Sequence, residues 1–176
     1  EPPGTTTVFP GNDAVFVAFN GAPTSYAAMN FLNTGNIGNI STWLITPMRV
    51  GLQNGDTWSF YTRTIDPPAF ADRLELRLST NGSCTVPTGT GMANAVGDFT
   101  TVLTSVNPTL LPTGYPTAWT QFSGTLSGIT GTVNGCLAFR YAVPNGGVNG
   151  LNSDYIGIDA FVYQTVPVEL QTFTIE

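Results

Sequence analysis

Apolar and polar residues alternate along most of this 176-residue chain, and that two-residue period limits the folds open to it. In segment 73–78 three leucines alternate with Arg and Glu, and segment 137–143 alternates large side chains with small or charged ones. This period is typical of half-buried antiparallel strands, whereas the 3.6-residue period of helices is nearly absent. Clusters of Gly, Pro and Asn separate the runs, as turns between short strands do.

The pattern predicts an all-β fold, a jelly-roll β-sandwich of about ten antiparallel strands in two sheets. The predicted strands are 13–19, 26–31, 42–45, 57–65, 73–78, 99–106, 118–126, 137–143, 155–163 and 168–175. No internal repeat or linker divides the chain, so we expect one domain over residues 1–165. Residues 166–176 are expected to form a separate C-terminal strand.

Charged side chains are few, and their pattern argues against several classes of function. The chain has five Arg, no Lys and no His against 11 acidic residues, for a formal net charge of −6. Phosphate binding needs clustered cations, so we expect no nucleic acid and no anionic membrane as a partner. Without His, the chain lacks His-based triads and the usual zinc sites. No spacing of the remaining reactive side chains assembles a catalytic site, so we expect a protein that is not an enzyme.

The polar surface is built mainly from Thr, Asn, Ser and Gly, and this favours a protein outside the cell that packs against its own copies. The longest apolar runs are far shorter than the roughly 20 residues of a spanning helix, so we expect no membrane insertion by this chain. The cysteine content also fits a secreted protein. Cys84 and Cys136 form an even pair, which predicts one disulfide, with two buried free thiols as the alternative.

Several segments form an ordered series that resembles a known family. They are Trp43-Leu44-Ile45-Thr46-Pro47, Gly55-Asp56-Thr57-Trp58, Asp72-Arg73-Leu74-Glu75, Ala138-Phe139-Arg140-Tyr141 and Ile156-Gly157-Ile158-Asp159. In order and spacing the series resembles the cleaved-adhesin or choice-of-anchor J family of bacterial surface domains, over roughly residues 9–163. The resemblance implies a β-sandwich jelly roll, secretion, attachment to a cell surface or matrix, and no catalysis. In some members it also implies bound calcium.

The start of the chain departs from this family. Members usually carry an opening strand, often with an acidic cluster, before the equivalent of Val8-Phe9-Pro10-Gly11-Asn12. Only a few residues precede that point here, so we expect either that processing has removed this strand or that the fold leaves a sheet position unfilled. Such a gap exposes unpaired backbone and a strip of core, which a strand from another chain can cover.

The C-terminal segment is the candidate for that covering strand. Its apolar side chains are Val168, Leu170, Phe173 and Ile175, and their alternation shifts once near Thr172, which indicates a bulge. Head-to-tail donation between identical subunits is a heterologous contact and builds an open filament. Two alternatives stay open, because the segment can fold back as the domain's own edge strand or can precede a sorting or anchoring tail, as similar segments do in the family.

We therefore expect a secreted, non-enzymatic structural or adhesive protein, a surface or matrix fibre subunit that polymerises head to tail by β-strand donation. Its partners are copies of itself or components of a cell surface or matrix. The alternative is a monomeric carbohydrate-binding adhesin domain that stacks sugars on aromatic side chains. The candidate stacking residues are Tyr61, Tyr115 and Tyr155, and for each the alternative is a place in the core.

Two further sets of polar residues are candidate sites. Asp159 lies on a strand among aromatic side chains and needs a partner there. The family resemblance makes it a calcium ligand with Asn12 and Asp13, because Ca²⁺ takes six to eight oxygen ligands. A salt bridge to an Arg or hydrogen bonds to backbone are the alternatives.

The second set is expected to form a buried ion network or part of a ligand site, and it comprises Arg63, Asp72, Arg73, Arg140 and Asp154.

Overall fold

The computed structural model describes residues 8–88 and 95–166, which form two antiparallel β-sheets packed face to face. The ten strands are β1 (Phe9–Pro10), β2 (Ala27–Asn30), β3 (Gly38–Ile45), β4 (Arg49–Leu52), β5 (Thr57–Thr64), β6 (Leu74–Ser79), β7 (Thr101–Val106), β8 (Thr120–Thr125), β9 (Val133–Gly146) and β10 (Tyr155–Gln164). In the described ranges the one helix is a single 3₁₀ turn, Phe31–Asn33. The prediction of an all-β sandwich is confirmed.

Each sheet joins strands that are distant in sequence. Sheet A has the order β1-β2-β10-β5-β8, and sheet B has the order β3-β9-β6-β7, with β4 also paired to β9. The two-residue period of the sequence places alternate side chains of the central strands between the sheets. This core includes Trp58, Phe60, Leu76, Leu137, Phe139, Tyr141, Ile156 and Ile158.

The outer face of sheet B is covered by the long connection between β6 and β7. Cys84 in this connection forms a disulfide with Cys136 of β9, with the two Cα atoms 5.8 Å apart. Phe99 is fully buried and packs with Cys136 and Ala138 on the same face. The predicted disulfide is confirmed, and it fixes this covering segment to the sheet.

The predicted strand over 13–19 is wrong, because this segment crosses the outer face of sheet A as a loop. The loop begins with a turn in which the Asn12 carbonyl accepts from Val15 and Phe16. Phe16 then points toward the sheet while Val17 and Phe19 are exposed. The alternation in the sequence therefore reflects a segment lying on a sheet, not one paired within it. The strand predicted at 168–175 lies outside the described residues.

Candidate functional site

β10 extends beyond its neighbour on one side. β2 pairs with only its first four residues, from Tyr155↔Asn30 to Ile158↔Ala27. On its other side, β5 pairs with β10 as far as Gln164↔Thr57. In the described ranges no strand pairs with residues 159–164 on the β2 side, so the backbone there forms an open edge inside sheet A.

A β-bulge lies where the pairing with β2 ends. The register between β10 and β5 shifts between Asp159 and Val162, and Ala160 has a positive φ of 48°. Asp159 holds this bulge and the neighbouring loop, because its carboxylate accepts from the N–H of Ala160 at 2.6 Å and of Asn20 at 3.0 Å. Bulges bend a strand and interrupt its ladder. The bulge therefore explains why β2 follows β10 only to Ile158.

A cleft of about 620 Å³ opens beside this edge, between the two sheets. Leu44 and Ile45 of β3, the edge strand of sheet B, form one wall. Phe139 and Phe161, whose rings meet edge to face at 5.4 Å, lie deeper. Phe139 and Ile158 belong to the main core and are only 2% and 4% exposed, so the cleft reaches the edge of that core without opening it to solvent. The full lining is Val8, Phe9, Pro10, Thr24, Ser25, Tyr26, Ala27, Leu44, Ile45, Thr46, Phe139, Ile158, Asp159, Ala160 and Phe161.

The lining of the cleft determines what it can bind. Asp159 is its one charged residue, and most of the other lining side chains are aliphatic or aromatic. An extended peptide can hydrogen-bond to an exposed sheet edge and place every second side chain in apolar pockets. The cleft offers both features together, so it is suited to an added β-strand with one apolar face.

The residues at the end of β10 are held at the start of β5. The N–H of Val166 donates to the Asp56 carboxylate at 2.9 Å, and the Tyr163 hydroxyl donates to the other oxygen of the same group. Burial raises the pKa of Asp56, but hydrogen bonds from Tyr163, Val166 and Gln53 outweigh it and leave that pKa below its ordinary value. Asp56 directly precedes β5, so Val166 is anchored beside β5, opposite the open edge.

The calcium candidates do not form an oxygen cage in this arrangement. Both carboxylate oxygens of Asp159 accept backbone N–H groups, so the hydrogen-bonded alternative describes it. The Asn12 side chain accepts from Ala14 N–H at 3.0 Å, and Asp13 is exposed. No group of three or more His, Cys, Asp or Glu in residues 8–88 and 95–166 is placed to hold a metal ion. These donors do not fit the ion as they stand, and calcium binding stays a prediction.

Two of the three candidate sugar-stacking tyrosines are buried. The Tyr115 hydroxyl bonds to the Thr62 hydroxyl at 2.6 Å, and the Tyr155 hydroxyl bonds to that of Tyr26 at 3.1 Å. Tyr61 is different, because its ring stacks on Phe19 at 3.7 Å and Phe19 is 44% exposed. Of the three, Tyr61 alone contributes to an aromatic pair at the surface.

The observed ion network contains one of the five expected members, Arg140, together with Glu75 and Arg77. Glu75 is the central anion, 2.6 Å from Arg77 and 3.2 Å from Arg140. Asp72 instead accepts from neutral donors, which are the Tyr141 hydroxyl, the Thr64 hydroxyl and the backbone N–H of Asp154. Burial raises the pKa of Asp72 to about 6, although these hydrogen bonds oppose it.

Three more of the expected members, Arg63, Arg73 and Asp154, also form no ion pair in the described residues. Arg63 lies over the Phe16 ring at 4.5 Å, and Arg73 donates to the Ala142 carbonyl at 2.8 Å. Asp154 accepts from the backbone N–H of Ala69 at 3.0 Å. These three side chains hold loops and strand ends, and they do not converge on a ligand site.

Sequence reasoning named Asp159 as a site candidate but missed the other residues that line the cleft. Leu44, Phe139 and Phe161 sit in alternating strands and have the pattern of ordinary core positions.

Comparisons with known proteins agree with this fold. The structure is similar to the K1 cleaved adhesin domain of Lys-gingipain from Porphyromonas gingivalis W83, with a TM-score of 0.57 and 18% sequence identity, over 93% of this chain and 86% of that one. The K3 cleaved adhesin domain of the same protein matches with a TM-score of 0.49 and 18% identity, over 81% and 74% of the two chains. No protein-family model and no curated protein sequence matches. The resemblance seen in the sequence therefore extends to the fold.

Within the described ranges no helix has the length and apolar character needed to cross a bilayer.

Proposed function

We propose that this protein is a non-enzymatic extracellular subunit, structural and adhesive, whose copies join head to tail by β-strand donation. The acceptor is the cleft beside residues 159–164 of β10, and the donor is segment 168–175 of another copy. The observation that carries the proposal is the open stretch of β10 next to a cleft lined mainly by apolar side chains. The donor segment itself lies outside the described residues.

The donor sequence suits this acceptor. A strand beside 159–164 lies about 4.8 Å from β10 and directs alternate side chains between the sheets. Val168 and Leu170 alternate with polar residues, and Phe173 and Ile175 do so after a shift of one position. β10 has its own register shift between Asp159 and Val162. A bulge in the donor thus matches a bulge in the acceptor, which lets apolar side chains stay in the cleft on both sides of it.

The exit of the chain favours donation to another copy over folding back. A hairpin return would have to bring residues after Gln164 to the β2 side of β10. Instead, Val166 bonds to Asp56 and lies close to Gly55, on the β5 side. Because donor and acceptor are different parts of the chain, the proposed contact is heterologous and repeats into an open filament.

The surface location and the adhesive role rest on other observations. The chain is poor in charge and rich in Thr, Asn, Ser and Gly, has one disulfide, and shares its fold with a domain described as a cleaved adhesin. Disulfides persist in oxidising compartments such as the cell exterior. We extend the adhesive role from that domain to this chain as part of the proposal.

Truncation tests the donor. A variant lacking 169–176 should remain folded but form no filaments in electron micrographs, and a synthetic peptide spanning 167–176 should bind to it. A peptide with Leu170 and Phe173 replaced by Asp is the matched control and should not bind. Filaments that persist after truncation would sink the proposal, as would equal binding of both peptides.

A monomeric glycan-binding adhesin is the second candidate, supported by the Phe19–Tyr61 pair. Stacked rings at a surface form a platform for the apolar face of a sugar. On this hypothesis, a glycan array with the wild-type protein gives specific signals that Phe19→Ala or Tyr61→Ala removes, while truncation at 169 leaves them intact. An array without signals at high protein concentration would exclude it.

A further inference from the structure

β8 forms a free edge of sheet A that lacks the usual protection against pairing. It pairs with β5, and in the part of the chain that the structure describes no strand lies on its other side. Native edge strands are commonly short, charged, interrupted by proline or bulged, because an open ladder recruits other strands. β8 has six residues with no charge and no proline, and it pairs with β5 without a register shift.

The other described edges each carry a protective feature. β1 has two residues, one of them Pro10. β3 has a register shift near Gly38 and borders the cleft. β4 carries Arg49, and β7 shifts register against β6. Apart from the open stretch 159–164 of β10, which the proposed function assigns to a donated strand, β8 is thus the described edge most open to a new strand.

The outward backbone groups of β8 can be identified from its ladder. In an antiparallel pair, alternate residues direct their N–H and C=O groups to opposite sides. Leu126, directly after β8, donates its N–H to the Asp56 carbonyl at 2.7 Å, toward the β5 side. The residues out of phase with Leu126 therefore direct their groups away from β5. These residues are Gln121, Ser123 and Thr125.

Charge favours a second copy of this chain as the partner. The net charge of −6 makes two copies repel each other in general. No charged residue occurs between Asp98 and Arg140, a stretch that contains the whole of β8. Two copies that approach through β8 therefore bring together segments without like charges.

We propose that β8 of one copy pairs antiparallel with β8 of a second copy across a two-fold axis, so that two sheets A become one continuous sheet. One register forms the largest number of hydrogen bonds between the outward-facing backbone N–H and C=O groups of the two strands. It places Ser123 opposite the partner's Ser123, and Gln121 opposite the partner's Thr125. This register keeps like faces together, since paired residues in antiparallel strands share a face.

The outer face beside β8 is complementary to this arrangement. A shallow groove of about 320 Å³ runs along it, and its lining includes the side chains of Thr57, Ser59, Ser123, Thr125 and Gln164. In the proposed register the partner's Gln121 projects from the same face, next to Thr125. Its amide can both donate to and accept from these hydroxyls.

The contact is expected to be weak in isolated pairs and stronger in assemblies. One strand pair buries less than the roughly 1,200 Å² of a standard stable interface. Repetition along a filament adds the individual contacts through avidity. β8 pairing is thus a lateral contact between filaments or subunits, and it does not depend on strand donation into the cleft.

Cysteine cross-linking of the full chain tests the register. The two native cysteines are joined to each other, so a new cysteine is the only free thiol. Ser123→Cys places two thiols on hydrogen-bonded partners whose Cα atoms are about 5.5 Å apart, within disulfide range. Thr125→Cys is the matched control, because its copies lie about 13 Å apart along the strand. Mild oxidation should give several-fold more covalent dimer with Ser123→Cys, measured on non-reducing gels.

A mixture supplies the second readout. Gln121→Cys mixed with Thr125→Cys should cross-link, whereas each variant alone should not. Equal dimer yields from Ser123→Cys and Thr125→Cys would overturn the register, and no dimer from Ser123→Cys at high concentration would overturn the pairing itself. Removal of 169–176 should leave the Ser123→Cys dimer in place, so failure of strand donation and failure of β8 pairing give different results.

Discussion

Gly157 shows how one residue permits a whole layer of packing on sheet A. A Cβ at this position would lie 2.8 Å from atoms of Phe16 and Trp119 and 2.9 Å from Tyr26. These rings pack on the outer face of β10, where Phe16 stacks on Tyr26 at 5.0 Å. The absence of a side chain at Gly157 lets the aromatic rings rest directly on the strand, which secures the loop over 12–20.

Gly157→Ala should therefore destabilise the protein by about 1–3 kcal/mol, the usual cost of overpacking a filled site. The measurement is urea unfolding at neutral pH. The combined variant with Phe16→Leu should recover part of the loss, because a smaller side chain at position 16 makes room for the new methyl group. An unchanged unfolding midpoint for Gly157→Ala would show that the rings can move at no cost.

Asp72 makes the free energy of unfolding fall as the pH rises, which is the opposite of the effect of a carboxyl group with a lowered pKa. Burial raises its pKa to about 6 in the folded protein, above the ordinary value of an aspartic acid. The native state therefore holds this proton more tightly than the unfolded state, so the contribution is fully present below the unfolded pKa and is lost as pH rises through 6. A protonated Asp72 can donate to the Thr64 hydroxyl, which in turn donates to the Tyr155 carbonyl at 3.0 Å.

The free energy of unfolding should thus be about 1 kcal/mol higher at pH 5 than at pH 7. Asp72→Asn is the matched control, because its amide keeps the same partners and cannot titrate, and it should flatten this difference. The pH range stays above 5 because Asp56 and Glu75 have lowered pKa values and lose their stabilising effect in stronger acid. Stability that rises from pH 5 to pH 7 would contradict the assignment.

At the scale of elements, long runs of alternating apolar and polar residues predicted strands reliably. Short segments, and segments that lie over a sheet, did not. β5, β6, β9 and β10 carry clear two-residue patterns, and all four were predicted. β1 and β4 are too short to show a period, and the strand expected at 13–19 is a loop whose alternation comes from packing on a sheet. The position of the cleft depends on which strands become neighbours, and local patterns contain no information about strand order.

The disulfide is the element-scale feature with the clearest energetic consequence. It links residues 52 apart in sequence and joins the covering segment of sheet B to β9. Replacing both Cys84 and Cys136 with Ser should lower the free energy of unfolding by roughly 2–4 kcal/mol. Reducing agent should destabilise the wild-type protein by a similar amount and leave the double variant unaffected, as judged by thermal unfolding. Equal stability of the two proteins without reductant would refute this role.

For the whole molecule, the proposed donation depends on where the cleft and the end of β10 lie. The cleft lies on the β2 side of β10 and Val166 is anchored on the β5 side, and we propose that a strand donated from there enters the next copy. The free edge of β8 lies at the far side of the same sheet. Head-to-tail donation and lateral β8 pairing therefore use different edges and can occur together in one assembly.

The most direct test is a cryo-electron microscopy reconstruction of the protein isolated without denaturant. The account predicts filaments in which residues 168–175 of one copy run beside 159–164 of its neighbour, with Leu170 and Phe173 inside the cleft. Dispersed monomers would contradict it. A filament in which the cleft is empty, or is filled by the same copy's own segment, would contradict it as well.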